Sequence, residues 1–262
     1  MSEDDNQVPS ALVAVGAKAL AVRSETLVKR GLALAKSLQP GDEGDHFGLG
    51  VGLYLLKDDL DGAIAEWRTA IRLRPDHAEA HMALGNALKH KGDLDGAIAE
   101  FRTAIRFHPN DADAYHNLGD ALCEKGDLDG AIAEYRTAIR LQPDEGYHDD
   151  LGDALREKGD LDGAIAEYRT TIRLDPDYPY AHDNLGHALY DKGDLDGAIA
   201  EYREALRLNR NDDKAHTRRG VALELKGDRR GALEEYRAAY MLDPKNADHK
   251  QNYERLLQQV NQ

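Results

Sequence analysis

One cysteine, one tryptophan and three phenylalanines are all that 262 residues contain of those types. Cys123 has no second cysteine to form an internal disulfide with, and a single thiol makes no zinc pattern. Uncharged apolar runs long enough to cross a bilayer, about eighteen residues, are missing. The opening Met1-Ser2-Glu3-Asp4-Asp5 is acidic where a secretory leader is basic, so a cytoplasmic location is expected. Basic residues are in the minority, 34 against 49 acidic ones, for a formal net charge of −15. A field of that sign repels phosphate backbones and anionic lipid, which argues against nucleic acid and membrane insertion; it attracts basic segments in a salt-sensitive way.

What the sequence has in abundance is repetition, and a fixed period decides an architecture before local propensity does. Asp-Leu-Asp-Gly-Ala-Ile-Ala-Glu occurs at 59–66, 93–100, 127–134, 160–167 and 194–201, with a diverged copy at 228–235. A unit phased from Ala78 carries Leu84-Gly85 at places seven and eight, Ala97 at twenty, Phe101 at twenty-four, Ala104 at twenty-seven and Pro109 at thirty-two. Similar sets recur as Leu118-Gly119, Ala131, Tyr135, Ala138, Pro143, and as Leu151-Gly152, Ala164, Tyr168, Pro176. They recur again as Leu185-Gly186, Ala198, Tyr202, Ala205, and lastly as Gly220, Ala232, Tyr236, Ala239, Pro244. This pattern, at this period, resembles the tetratricopeptide repeat family.

The units begin at 43, 78, 112, 145, 179 and 213, the one from 43 holding an extra residue near 54–58. A degenerate helical pair is expected at 9–42, a disordered start at 1–8 and a capping helix at 247–262. The fold class is therefore all-α, an α-solenoid. Leu94, Ala97, Ile98, Phe101, Ala104 and Ile105 make one apolar stripe on the second helix of a unit. Gly85 sits where the two helices of the hairpin cross, and we read it as letting the backbones approach. Gly92, Gly126, Gly159, Gly193 and Gly227 fall in the turn between the helices, where a left-handed residue ends the first one. The glycines at 41, 44, 48, 50 and 52 predict a weakened helix and a hinge rather than a phosphate loop, since no strand precedes them and no Lys-Ser/Thr follows.

The resemblance implies stacking into a right-handed superhelix whose first helices line a concave groove, with places 2, 5, 9 and 12 facing it. Those places hold Glu79, Met82, Asn86 and Lys89; Asp113, His116, Asp120 and Cys123; Asp149, Asp153 and Arg156; Tyr180, Asp183, His187 and Tyr190; then Lys214, Thr217 and Glu224. Second helices are nearly identical from unit to unit whereas these places vary, as a binder needs. Five aspartates, Asp113, Asp120, Asp149, Asp153 and Asp183, make the middle of the groove acidic, with Tyr180 and Tyr190 beside them. A basic peptide or protein segment is the expected partner.

The carboxylate clamp that chaperone-binding members of the family use finds only Asn184, Lys214 and Arg218 here, with Asp149 and Asp153 where it wants Lys and Asn. A repulsive pair replaces an attractive one. His116 with Asp120 and Asp183 with His187 are i, i+4 pairs able to chelate, but no metal or other cofactor is expected. The histidines at place 4 (His46, His81, His148, His182, His216) read as packing residues. No nucleophile elbow, metalloprotease His-Glu pair or Ser/His/Asp set is present, so no enzymatic activity is expected. The rival to a binding adaptor is a scaffold that self-assembles through its N-terminal apolar helices or its C-terminal helix, as a homo-oligomer.

Overall fold

The structure, a computed structural model, describes residues 43–55 and 59–260; the expectations for 1–8 and 9–42 lie outside the described residues. All described elements are helices: α1 (Glu43–Leu55), α2 (Leu60–Leu73), α3 (Ala78–His90), α4 (Leu94–Phe107), α5 (Ala112–Glu124), α6 (Leu128–Leu141), α7 (Glu145–Lys158), α8 (Leu161–Leu174), α9 (Pro179–Asp191), α10 (Leu195–Leu208), α11 (Asp213–Leu225), α12 (Arg229–Leu242) and α13 (Ala247–Val260). They fall into two compact units, divided between Leu141 and Gln142. Within each unit, odd-numbered first helices pair with the second helix that follows and also pack on the second helix of the hairpin before, α2 on α3 and α4 on α5, then α8 on α9 and α10 on α11. No helix among the described residues is long and apolar enough to cross a membrane.

The repeated Asp-Leu-Asp-Gly is resolved into three separate jobs. Its first aspartate is the N-cap of the second helix, as where Asp93 accepts the Gly96 N–H at 3.0 Å. The glycine follows from that cap, because a Cβ on Gly96 would lie 2.6 Å from the Asp93 carboxylate. Its second aspartate reaches the next hairpin: Asp95 binds Lys125 at 2.5 Å, Asp162 binds Lys192 at 2.5 Å, and Asp61 and Asp196 bind Lys91 and Lys226. These pairs are exposed, so each contributes about 0–1 kcal/mol. Gly92 turns the chain between α3 and α4 at φ +80°, which lets the Asp93 N–H donate to the Leu88 carbonyl at 2.9 Å.

The glycine of the Leu-Gly pair has a different partner from the one expected. A Cβ on Gly85 would stand 2.6 Å from the Phe101 ring, so it is the ring of the second helix, not the opposing backbone, that occupies the space. The same relation holds for Gly50 with Trp67, Gly119 with Tyr135, Gly152 with Tyr168, Gly186 with Tyr202 and Gly220 with Tyr236. Trp67, Phe101, Tyr168, Tyr202 and Tyr236 are among the most completely buried side chains of the fold. Burial of each such ring stabilises by about 1.5–3 kcal/mol. α1 runs unbroken through Gly44, Gly48, Gly50 and Gly52.

The place-4 histidines are not mere packing residues. Their Nδ1 atoms meet a glutamate of the second helix: His46 with Glu66 at 2.6 Å, His81 with Glu100 at 2.5 Å, His148 with Glu167 at 2.6 Å, His182 with Glu201 at 2.8 Å and His216 with Glu235 at 2.7 Å. In the α5–α6 hairpin Tyr115 stands at that place and donates instead to the Pro109 carbonyl at 3.3 Å. Glu134, the corresponding glutamate, is pushed above its ordinary range by burial. α13 closes the series: Leu256 is wholly buried against Ala232 and Tyr236, while Gln251, Glu254, Gln258 and Gln259 are exposed. A polar outer face suits a helix that packs on one side only, as α13 does on α12 among the described residues.

Two outcomes are expected. Gly85→Leu drives a side chain into the Phe101 ring and lowers stability by about 2–3 kcal/mol in a urea titration, whereas Gly48→Ala, whose Cβ meets nothing within 4 Å, raises it by about 0.5–1 kcal/mol. Desolvation pulls His81 down, but hydrogen bonds to Glu100 and to the Pro75 carbonyl leave it above its ordinary value. A raised histidine stabilises fully below the unfolded value, near pH 6.5, and stops doing so as pH rises through the higher native one. Glu100→Gln therefore removes about 1–2 kcal/mol at mildly acidic pH and distinctly less at pH 9.

Candidate functional site

The outward faces of the first helices hold the candidate residues, and each unit has its own set. In the first unit, Glu79 and Asp113 are exposed, and Met82, Asn86, Lys89, His116, Asp120 and Cys123 are half-buried. Asp120 is the meeting point. Lys89 of α3 binds its Oδ2 at 2.8 Å, the Tyr135 hydroxyl donates to its Oδ1 at 3.0 Å, and His116 Nε2 stands 3.6 Å from Oδ1. The tyrosine is the ring laid over Gly119, so the same side chain fills the hairpin core and holds a surface carboxylate.

In the second unit, α7 supplies Asp149, Asp153 and Arg156, α9 supplies Tyr180, Asp183, Asn184, His187 and Tyr190, and α11 supplies Lys214, Thr217 and Arg218. Asn184 donates to both oxygens of Asp149, at 3.3 and 3.2 Å, and Arg218 binds Asp183. Both are bonds from place 5 of one first helix to place 6 of the next. A second rule joins place 12 to place 9 of the next first helix: Lys89 to Asp120, and at the far end Glu224 to Arg255 of α13, two bonds at 2.6 and 2.7 Å. Tyr168 repeats the role of Tyr135, its hydroxyl 2.6 Å from Asp153 Oδ1. Arg156 reaches Asp191 at 3.5 Å.

The faces are therefore less open than the sequence suggested. Asp120, Asp149, Asp153 and Asp183 each have an internal partner, and Asn184 and Arg218, the best remnants of a carboxylate clamp, already donate to Asp149 and Asp183. Of the two histidine–aspartate pairs, His116 and Asp120 do come together, while Asp183 turns to Arg218 and His187 stands 3.9 Å from Asp191.

Partner type decides how much charge survives. Lys89 and Arg218 are cations and neutralise Asp120 and Asp183; the direct hydrogen-bond donors to Asp149 and Asp153, an amide and a phenol, are neutral. Asp149 is buried, and desolvation together with the Asp153 charge pushes it up to about 7 against the opposing Asn184 bond. Asp153, exposed along one side, and buried Asp183 are also raised by desolvation, opposed respectively by the Tyr168 bond and by Arg218. Burial, then the charge of Arg156, lowers His187. Sequence reasoning missed the inter-helix pairs, although one sign was present: aspartate stands at place 9 in two of the units whose place 24 is tyrosine, and Asn86 stands there where place 24 is Phe101.

Helical hairpins joined by repeated polar bonds, with variable first-helix faces, define a repeat protein of the interaction-scaffold class. Two family profiles agree: one described as TPR repeat matches residues 152–193 and 186–227, and one described as Tetratricopeptide repeat matches 53–112 and 92–146. The chain belongs to the tetratricopeptide repeat family. Among solved structures it is similar to YrrB, described as a TPR protein with an unusual peptide-binding site, at 22% identity and a TM-score of 0.58, over 69% of this chain and 93% of that one. MamA is 26% identical with a TM-score of 0.59, over 63% of this chain and 97% of its own. PilF of Pseudomonas aeruginosa is 19% identical with a TM-score of 0.67, over 87% and 99%. The likenesses to YrrB and PilF show the fold alone. No curated protein matches the sequence.

A carboxyl group whose native value is raised holds its proton longer when folded, so it lowers stability as pH climbs from about 4 toward 7. Asp149→Asn has no proton to give up and leaves an acceptor for Asn184. Relative to the unsubstituted protein it is expected to gain on the order of 1–3 kcal/mol between pH 4 and pH 8; urea midpoints that differ equally at both pH values would contradict the assignment.

Proposed function

We propose that the chain is a non-catalytic adaptor that binds a segment of a partner protein on its first-helix faces, and that the segment is basic. The observation that carries this reading is the contrast between the two helices of each hairpin. The second helices of the first five hairpins repeat almost letter for letter, LDGAIAEFRTAIRF against LDGAIAEYRTAIRL, whereas the outward places of the first helices vary, all four differing between AEAHMALGNALKH and ADAYHNLGDALCE. Packing accounts for the uniform set and leaves the variable set for recognition.

The net charge of −15 supports a basic ligand through long-range attraction. Short-range support is concentrated on α7. A cation arriving at Asp120 or Asp183 competes with Lys89 or Arg218 and exchanges one ion pair for another; at Asp153, an exposed carboxylate of α7, it meets a group whose direct hydrogen-bond partner is neutral, with the Arg156 charge acting on it from a distance. Self-assembly through α13 has no comparable support, because its outward residues are polar.

Titration of a fluorescent decapeptide of alternating lysine and alanine, read by anisotropy, tests the proposal. Binding is expected to weaken steadily with added salt, and the Asp113→Asn, Asp120→Asn, Asp153→Asn triple variant to bind about tenfold less tightly with a shallower salt dependence. Affinity and salt dependence unchanged in the triple variant would mean that the acids on these faces do not recognise the ligand.

A further inference from the structure

Tyr180, at place 2 of α9, is 61% exposed, and the ring of Tyr178 meets it edge to face with centroids 5.8 Å apart and planes at 67°. Neither ring is used as most of its counterparts are, although His77 before α3 likewise makes no capping bond. The first helices α5, α7 and α11 are capped by Asp111, Asp144 and Asp212, each accepting a backbone N–H; Tyr178 occupies the same position before α9 and its side chain makes no capping bond. Replacing a capping aspartate in this way forfeits a local stabilisation that Pro179 at the helix start only partly restores. At place 2 the other hairpins carry Gly44, Glu79, Asp113, Gly146 and Lys214. An exposed aromatic corner that breaks the local rule without filling a core is the mark of a contact surface.

The surroundings give that corner a sign. Desolvation pushes the Tyr178 hydroxyl up to about 12, and the charges of Asp149, Asp150 and Asp153 act on it in the same direction, so the three carboxylates of α7 lie within electrostatic reach of Tyr178, whose ring meets that of Tyr180. Aromatic faces carry negative potential and attract cations lying over them within about 6 Å of the centroid. The combination repels an anion and gives a neutral apolar group no use for the carboxylates.

We propose that Tyr178 and Tyr180, with Asp149, Asp150 and Asp153 behind them, form the anchor for one cationic side chain, an ammonium or a guanidinium, of the bound segment. This rests on the reading of the first-helix faces as a surface for a basic segment, and adds to it where the tightest single contact falls. The rings hold the cation by their faces, and the carboxylates supply the field that draws it in. Because Tyr180 is largely out in solvent, its replacement leaves the core untouched.

The test uses the alternating lysine–alanine decapeptide and its arginine–alanine counterpart, titrated against the full chain, Tyr180→Leu and Tyr180→Phe. Tyr180→Leu is expected to weaken binding of at least one of the two peptides by about two- to fivefold, with Tyr180→Phe, which keeps the ring, within the error of the unsubstituted protein; the peptide that loses more identifies the cation. If Tyr180→Leu binds both peptides normally while the triple aspartate variant is weakened, the aromatic anchor is wrong and the basic-segment reading stands. If Tyr180→Phe loses as much as Tyr180→Leu, the hydroxyl and not the ring face makes the contact, which also overturns the anchor. If neither peptide binds the unsubstituted protein even at low salt, the basic-segment reading fails and the anchor with it.

Discussion

Every described hairpin has an aromatic ring of its second helix packed directly against a glycine of its first, and this contact limits how close the two helices come. Any side chain at the glycine would overlap the ring, as the 2.6 Å approach to Phe101 shows at Gly85. The consequence extends beyond the core. With the ring held there, a tyrosine hydroxyl emerges on the outward face of the first helix, where it takes hold of Asp120 or Asp153. One position thus links hairpin packing to the charge on the candidate binding face, and exchanging tyrosine for phenylalanine, as at Phe101, changes the face while leaving the core filled.

The period and the Leu-Gly, aromatic and proline positions made the all-α class and the family legible, because each reflects a local requirement that recurs in every unit. The polar bonds between hairpins were harder to see. Lys89 and Asp120 stand 31 residues apart, and Asp149 and Asn184 stand 35 apart, so each joins two unlike residues in consecutive units. Periodicity says which place a residue occupies and nothing about what faces it across the stack. The histidine–glutamate bonds did leave a trace, since a glutamate follows the histidine by 19 residues in four hairpins and by 20 in α1–α2. Reading the histidines as packing residues overlooked it.

The same distinction governs function. A row of aspartates suggests a uniformly acidic wall, but their states differ with their partners: Asp120 and Asp183 are neutralised by cations, Asp149 is raised to about 7 in its buried site, and Asp153 keeps a neutral phenolic donor. On the proposed reading, attraction for a basic segment is concentrated on α7 and the aromatic corner beside it instead of being spread evenly. Family membership is compatible with many unrelated ligands, so it is this residue-level pattern, not the fold, that argues for one class of partner.

The variable first-helix faces are proposed as the recognition surface. Amide chemical-shift mapping of the labelled chain during titration with the lysine–alanine peptide tests it most directly. Shifts are expected to cluster on α7 and the start of α9, at Asp149, Asp153, Tyr178 and Tyr180, with the second helices α8 and α10 unmoved. Shifts confined to the outward sides of the second helices, or to α13, would contradict it.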